Sequence, residues 1–310
     1  MRGRRFACVT LVLVPSLAWA QVSRPPSESV TVTGIKSREV LQKFVGSLAA
    51  PTRLTGKMAR WKEVICPVTV GLKPAFVQFI NRRLKEVAAQ VGAPVTDRAS
   101  CRTNIEIVFT TTPQELVDNV RKKHAFLLGY FDSREQEEKL ATVSRPIQAW
   151  YVAATRDVGG GLLIDNAKPA GLINRMEFPC DPLFCVGGKI DLYPPRVMST
   201  TGMRLGDGLR SEFYNIAIVI DPMKLVNFEI GPLSDYIAML ALTELATQGG
   251  CVDLPSITNL LAEACGTRST ALTDADLAFL RGLYKMSPDM MLGVQKDEVS
   301  YQMEQELKGH

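Results

Sequence analysis

The residues of this 310-residue chain best spaced for chemistry lie at 241–253, ALTELATQGGCVD. Glu244 sits between Thr243 and Thr247, and Gly250 and Asp253 follow at three-residue intervals. Residues i and i+4 share one face of a helix. This spacing can therefore aim two side chains at one metal ion, with the carboxylate between them as general base towards a metal-bound water. The glycine would permit the turn that brings a third ligand, here Asp253, to the same ion. Both helical ligand positions are threonine, however, and a neutral hydroxyl is a poor partner for zinc, which selects imidazole, thiolate and carboxylate. The chain holds two histidines, His124 and His310. One lies beside Lys122 and Lys123 on an expected helix, and the other is the last residue, so a three-histidine site cannot form. Glu244 and Asp253 alone would hold zinc weakly, and such oxygens suit Mg²⁺ or Ca²⁺ better. The expectation is no resident metal and no cofactor.

Other candidates are weaker. Gly159-Gly160-Gly161 is not followed by Lys-Ser/Thr at phosphate-loop spacing, so it reads as a flexible loop. No G-x-S-x-G elbow occurs, and a Ser-His-Asp triad would have to use His124 or His310. Asp132, Glu135, Glu137 and Glu138 read as a solvated helix face. Trp150, Tyr151, Phe213 and Tyr214 fall in expected strands, where packing is the usual role of aromatic rings.

The elements that must position Glu244 follow from periodicity. A helix is expected from a Ser37 cap to about Ala49, with Val40, Leu41, Phe44, Val45 and Leu48 on one face. Residues 61–70, WKEVICPVTV, read as a strand, with Pro67 marking an edge or bulge. Residues 74–91 open on proline and stop before Gly92, as a helix should. A strand at 104–110 leads to a Thr112–Glu115 capping box and a helix to about Leu128. Strands follow at 146–155 and 213–220, the second apolar enough to be buried on both faces. A helix from Ser234 to Gln248 is apolar almost all round and belongs inside the molecule. A Glu244 buried on it must protonate or find a cation or hydrogen-bond donors, for which an arginine or the threonine hydroxyls are the expected partners. The Thr273-x-x-Asp276 pattern caps a further helix, and the chain closes on an amphipathic one. This alternation predicts one α+β (mixed α/β) domain over 37–310, with a mixed sheet, a buried central helix and a loop-rich insertion at 156–208.

The first twenty residues have the form of a Sec-type signal peptide: Arg2, Arg4 and Arg5, an apolar stretch from Phe6 to Leu17, and an Ala18-Trp19-Ala20 cleavage site. The alternative is an uncleaved anchor, for which the apolar part is short. Residues 21–36 are polar and rich in proline and serine, and read as a flexible lead-in. Cleavage after Ala20 removes three arginines and no acid, taking the formal charge from +4 to +1. With no basic stripe, nucleic acid is not an expected partner. After cleavage six of the seven cysteines remain, an even number suited to an oxidising compartment. Of the fifteen connectivities, proximity favours Cys66–Cys101, Cys180–Cys185 and Cys251–Cys265. No C-x-x-C pair occurs to suggest a thiolate metal site. The expected place is the periplasm, with no transmembrane segment after signal cleavage.

The segment 241–253 resembles the metal-binding helix of the metzincin-like branch of the zincin metallopeptidases, and the likeness continues beyond it. Leu254-Pro255-Ser256-Ile257-Thr258-Asn259 stands where that branch often has a turn beneath the metal. Leu272-Thr273-Asp274-Ala275-Asp276-Leu277, with Leu283-Tyr284, resembles its closing helix. The whole chain also looks like an uncharacterised family of exported proteobacterial proteins carrying such a domain without its zinc-binding histidines. The resemblance implies a zincin-like fold, Glu244 as a vestigial general base, and Thr243, Thr247 and Asp253 at former metal positions with Gly250 at the turn. It implies a non-catalytic protein retained for binding or envelope assembly. Its partner would be an envelope protein or a small ligand over Thr243, Glu244, Thr247 and Asp253, with loop 156–208 completing the surface. The alternative is a hydrolase using Glu244 and Asp253 with a non-zinc metal or none, and a purely structural partner of an envelope complex is a third possibility.

Overall fold

Proline and glycine set the rhythm of the first half of the chain. The computed structural model describes residues 38–308 apart from 97, 99–100, 166–175, 179–187, 191–205, 247–248, 263–264 and 267. Helix α1 (Arg38–Leu48) buries Leu41, Phe44, Val45 and Leu48, the stripe its spacing predicts. Strand β1 (Pro67–Val70) is followed by α2 (Pro74–Val91), which starts on its proline and ends where Gly92 takes a left-handed φ of 83°. Strand β2 (Ile105–Phe109) then pairs parallel to β1. Helix α3 (Pro113–His124) runs into a 3-10 turn at Ala125–Leu128, and α4 (Arg134–Leu140) follows. No side chain caps α3 at Thr112, so the expected box does not form there, although Pro113 does open the helix.

Strands β3 (Ile147–Arg156) and β4 (Leu162–Ile164) are antiparallel to each other. A separate antiparallel pair, β5 (Met176–Phe178) and β6 (Gly188–Ile190), lies in the insertion. Strand β7 (Arg210–Ile220) completes a five-stranded mixed sheet in the order β1-β2-β7-β3-β4, parallel to β2 and antiparallel to β3. One face of this sheet, through Ile105, Ile107, Ile216, Ile218 and Ile220, packs on α1, α2 and three later helices. These are α5 (Ile230–Leu242), α6 (Asp274–Lys285) and α7 (Leu292–Lys308). The other face, through Val108, Trp150, Val152, Ala217 and Val219, packs on α3 and the 3-10 turn. Burial on both sides is why residues 213–220 read as a continuous apolar run. The class is α+β, as expected.

Within the sheet Glu106 is only 1% exposed. Its Oε2 accepts a 2.8 Å hydrogen bond from Asn215, while Oε1 has no partner among the described residues. Burial pushes this carboxyl up to about 7.

Three expectations need correcting. The first strand begins at Pro67 rather than Trp61, because Trp61 and Ile65 serve as buried anchors of an irregular passage, the indole N–H donating to the Ala241 carbonyl at 2.8 Å. Helix α5 begins at Ile230 rather than Ser234, and every residue from Leu233 to Leu242 is buried, as its apolarity predicts. It ends at Leu242, well short of Gln248. Thr243 still donates its N–H to Met239 at 3.2 Å but is itself extended, with φ −150° and ψ 146°. Beyond it the backbone pairs with the end of α1: Ala50 N–H donates to Glu244 O at 3.1 Å and Ala246 N–H to Leu48 O at 3.3 Å. Those tertiary bonds satisfy groups that another helical turn would have used, and β-branched Thr243 offers little resistance.

Disulfides join Cys66 to Cys101 and Cys251 to Cys265. The Cys180–Cys185 pairing, the signal peptide at 1–20 and the lead-in at 21–36 lie outside the described residues. No helix among the described residues is long and apolar enough to cross a membrane.

Candidate functional site

The end of α5 delivers Glu244 to the wall of a cleft of about 350 Å³. Thr52 and Arg53 enter it from the passage after α1, Gly129 and Tyr130 from the turn before α4, Gln136 and Lys139 from α4, and Asp165 from the end of β4. Strand β4 pairs with β3 only at Ala154–Arg156, so the earlier part of β3, around Ala149 and Tyr151, lines the cleft instead. Gly129 makes this closure possible. It adopts a φ of 94°, and a Cβ there would stand 2.7 Å from the Tyr151 carbonyl oxygen.

Two carboxyls share the interior. Asp165 is 2% exposed and accepts a 3.1 Å hydrogen bond from the Thr155 hydroxyl. Burial raises it to about 6 against the pull of that bond. Glu244, partly buried, is pushed up to about 7, first by desolvation and then by the charge of Asp165, with Arg53 drawing it back. Neither forms an ion pair with a described residue. The Tyr151 hydroxyl donates to the carbonyls of Leu240 at 2.9 Å and Thr243 at 3.3 Å, closing the α5 terminus. Burial first, and then Glu244, hold that phenol well above its ordinary value, so it stays protonated. Arg53 and Lys139 are exposed and stand at the mouth.

This is not the constellation that the sequence spacing suggests. Thr243 is a buried helix terminus whose carbonyl, rather than its place on a helix face, is what the surroundings use. Thr247 lies outside the described residues. Asp253 is on the surface, its side chain 64% exposed and ion-paired to Lys43 at 2.5 Å, and it does not line the cleft. The left-handed turn falls to Gly249, with φ 76°, and not to Gly250. The helix stops before Thr243, the first of the ligand positions, and Thr243 itself is extended. Among the described residues no group of three or more His, Cys, Asp or Glu side chains could hold a metal ion. Arg53 acts on the Glu244 carboxylate as its opposite charge.

Downstream, the expected turn and cap are knitted into one buried polar knot. Thr273 and Asp276 form a complete capping box at the start of α6. Asp276 also accepts from the Ser256 hydroxyl and from Ile257 N–H, the latter at 2.8 Å. Asn259 accepts from Val252 N–H at 2.9 Å and donates to the carbonyls of Val252 and Leu254. This knot supports the segment after the cleft and contributes no group to it.

Sequence reasoning missed Asp165, Arg53, Gln136 and Lys139. Gln136 and Lys139 share one turn of α4, but Arg53 and Asp165 come from two other segments, and only the tertiary arrangement brings the three together. No family model, curated protein or solved structure matches the chain.

Proposed function

We propose that the chain is an exported, periplasmic binding protein that holds a small polar ligand in the cleft walled by Glu244 and Asp165, without zinc chemistry. One observation carries this reading: two carboxyls of raised pKa, neither ion-paired, converge on a single cavity whose mouth carries exposed cations. Carboxyls of perturbed pKa gathered in one cleft are characteristic of ligand sites. Export is supported by the signal-like N-terminus and by the two disulfides. A degraded metallopeptidase ancestry is compatible with the buried helix that ends at Leu242, two residues before Glu244, and the exposure of Asp253 argues against a metal held by the old positions.

The test is native mass spectrometry and elemental analysis of the mature protein purified from its own periplasm. A small-molecule adduct is expected, lost in Glu244→Gln, with no stoichiometric metal. A stoichiometric metal lost in the same variant would overturn the reading.

A second reading is hydrolysis by an acid–base pair, favoured by two carboxyls lining one cleft with both pushed above the ordinary carboxylate range by burial. It differs from the pair expected from the sequence, since Asp165 takes the place of Asp253. Turnover with a bell-shaped pH profile, abolished by either Glu244→Gln or Asp165→Asn, would establish it over binding alone.

A further inference from the structure

We infer that the cleft is built for a compact zwitterion of amino-acid size, its ammonium group seated between Glu244 and Asp165 and its carboxylate turned towards Arg53 and Lys139. The inference rests on the binding reading above and adds the ligand class to it.

The charges are sorted by depth. Asp165 is buried and Glu244 partly buried, whereas Arg53 and Lys139 on the same cleft are exposed. A ligand that enters this cleft therefore meets acceptors at its inner end and cations at its outer end. The inner hydroxyls cannot serve a ligand anion. The Tyr151 hydroxyl is spent on the Leu240 and Thr243 carbonyls, and the Thr155 hydroxyl on Asp165. The inner end thus offers carboxylate oxygens and few free donors, the complement of a group that only donates. An ammonium carries three donors and a positive charge. It would satisfy both carboxylates at once and relieve their mutual repulsion, and charge-assisted bonds of this kind are the stronger class. The cleft is large enough for a ligand of about this size, and the aromatic rings of Tyr130 and Tyr151 line it.

Isothermal titration calorimetry on the mature protein at pH 8 and low salt tests this. The titrants are the twenty standard amino acids, each separately, with citrate and N-acetylglucosamine as an anionic and a neutral probe. The tightest amino acid is then compared with its N-acetyl and its C-terminal amide forms. We expect N-acetylation to weaken binding about tenfold or more, because it removes the charge from the nitrogen. Glu244→Gln should produce a similar loss. Arg53→Ala should weaken the free amino acid several-fold and leave the amide unchanged. Thermal melts of each variant, followed by circular dichroism, separate loss of binding from loss of fold. Equal binding of the free and N-acetyl forms would overturn the ligand class. So would tight binding of citrate or N-acetylglucosamine that Glu244→Gln abolishes, although the cleft would then stand as a binding site. No heat from any titrant, with the fold intact, would overturn both the ligand class and the binding reading.

Discussion

At the scale of single residues, the informative groups are carboxyls kept from ionising in the ordinary range. Glu244 and Asp165 repel each other in the cleft, so removing one charge should help the fold at neutral pH. Glu244→Gln is expected to raise the melting temperature at pH 8 slightly. Glu244→Leu should lower it, because a branched apolar group replaces a polar one beside Asp165. Equal losses for the two variants in thermal melts would contradict this. Glu106 makes a cleaner case because it is remote from the cleft and accepts only from Asn215. Its carboxyl rises from 4.5 to about 7 on folding, so the folded state binds the extra proton. That contribution is complete below about pH 4 and is lost as pH rises towards 7. Glu106→Gln keeps the shape and stays neutral. Relative to wild type it should gain up to about 3 kcal/mol between pH 4.5 and pH 8, measured by urea unfolding at both values. Glu244 was legible in the sequence as the carboxylate set between two threonines at the end of an apolar run. Asp165 was not, because nothing in its neighbours marks a strand end that meets a helix end across the sheet.

At the scale of elements, local chemistry was legible where it is self-contained. Thr273 and Asp276 announce a helix start through spacing alone, and the box forms. Thr112 and Glu115 have the same spacing, yet no side-chain cap bond forms there. The end of α5 was illegible for a different reason. Its stop is set by bonds to Leu48 and Ala50, nearly two hundred positions earlier in the chain, and no window on residues 234–248 contains them. Two outcomes follow from the capping knot. Thr273→Ala should cost about 1 kcal/mol in urea unfolding, the usual value of a cap. Asp276→Ala should cost more, about 3 kcal/mol, because it also strands the buried donors of Ser256 and Ile257. Gly129→Ala probes the cleft rather than the core. Its Cβ would press on the Tyr151 carbonyl, so ligand binding should fall by more than the change in stability explains.

At the scale of the whole molecule, the cysteines spaced for disulfides and the alternation of helix and strand gave the compartment's chemistry and the fold class. The order of the strands lay beyond them, since β7 inserts between β2 and β3 only through pairing across a long insertion. Of the two disulfides, Cys66–Cys101 closes the longer loop, with a sequence separation of 35 against 14 for Cys251–Cys265. Chain-entropy arguments assign them about 4 and about 3 kcal/mol, so paired Cys→Ala variants should fall in that order in non-reducing urea titrations. The unequal covering of the sheet has a further consequence. Five helices bury one face, while the opposite layer rests on three buried residues of α3, two of the 3-10 turn, and on α4, which buries none. Amide hydrogens in α4 should exchange with solvent by small local openings, while those of β2, β7 and α5 wait for global unfolding. Because Gln136 and Lys139 of α4 form one lip of the cleft, that lip belongs to the part of the molecule that opens most cheaply. The residence time of anything bound beneath it is then set by the breathing of α4, with the disulfide-braced body standing still.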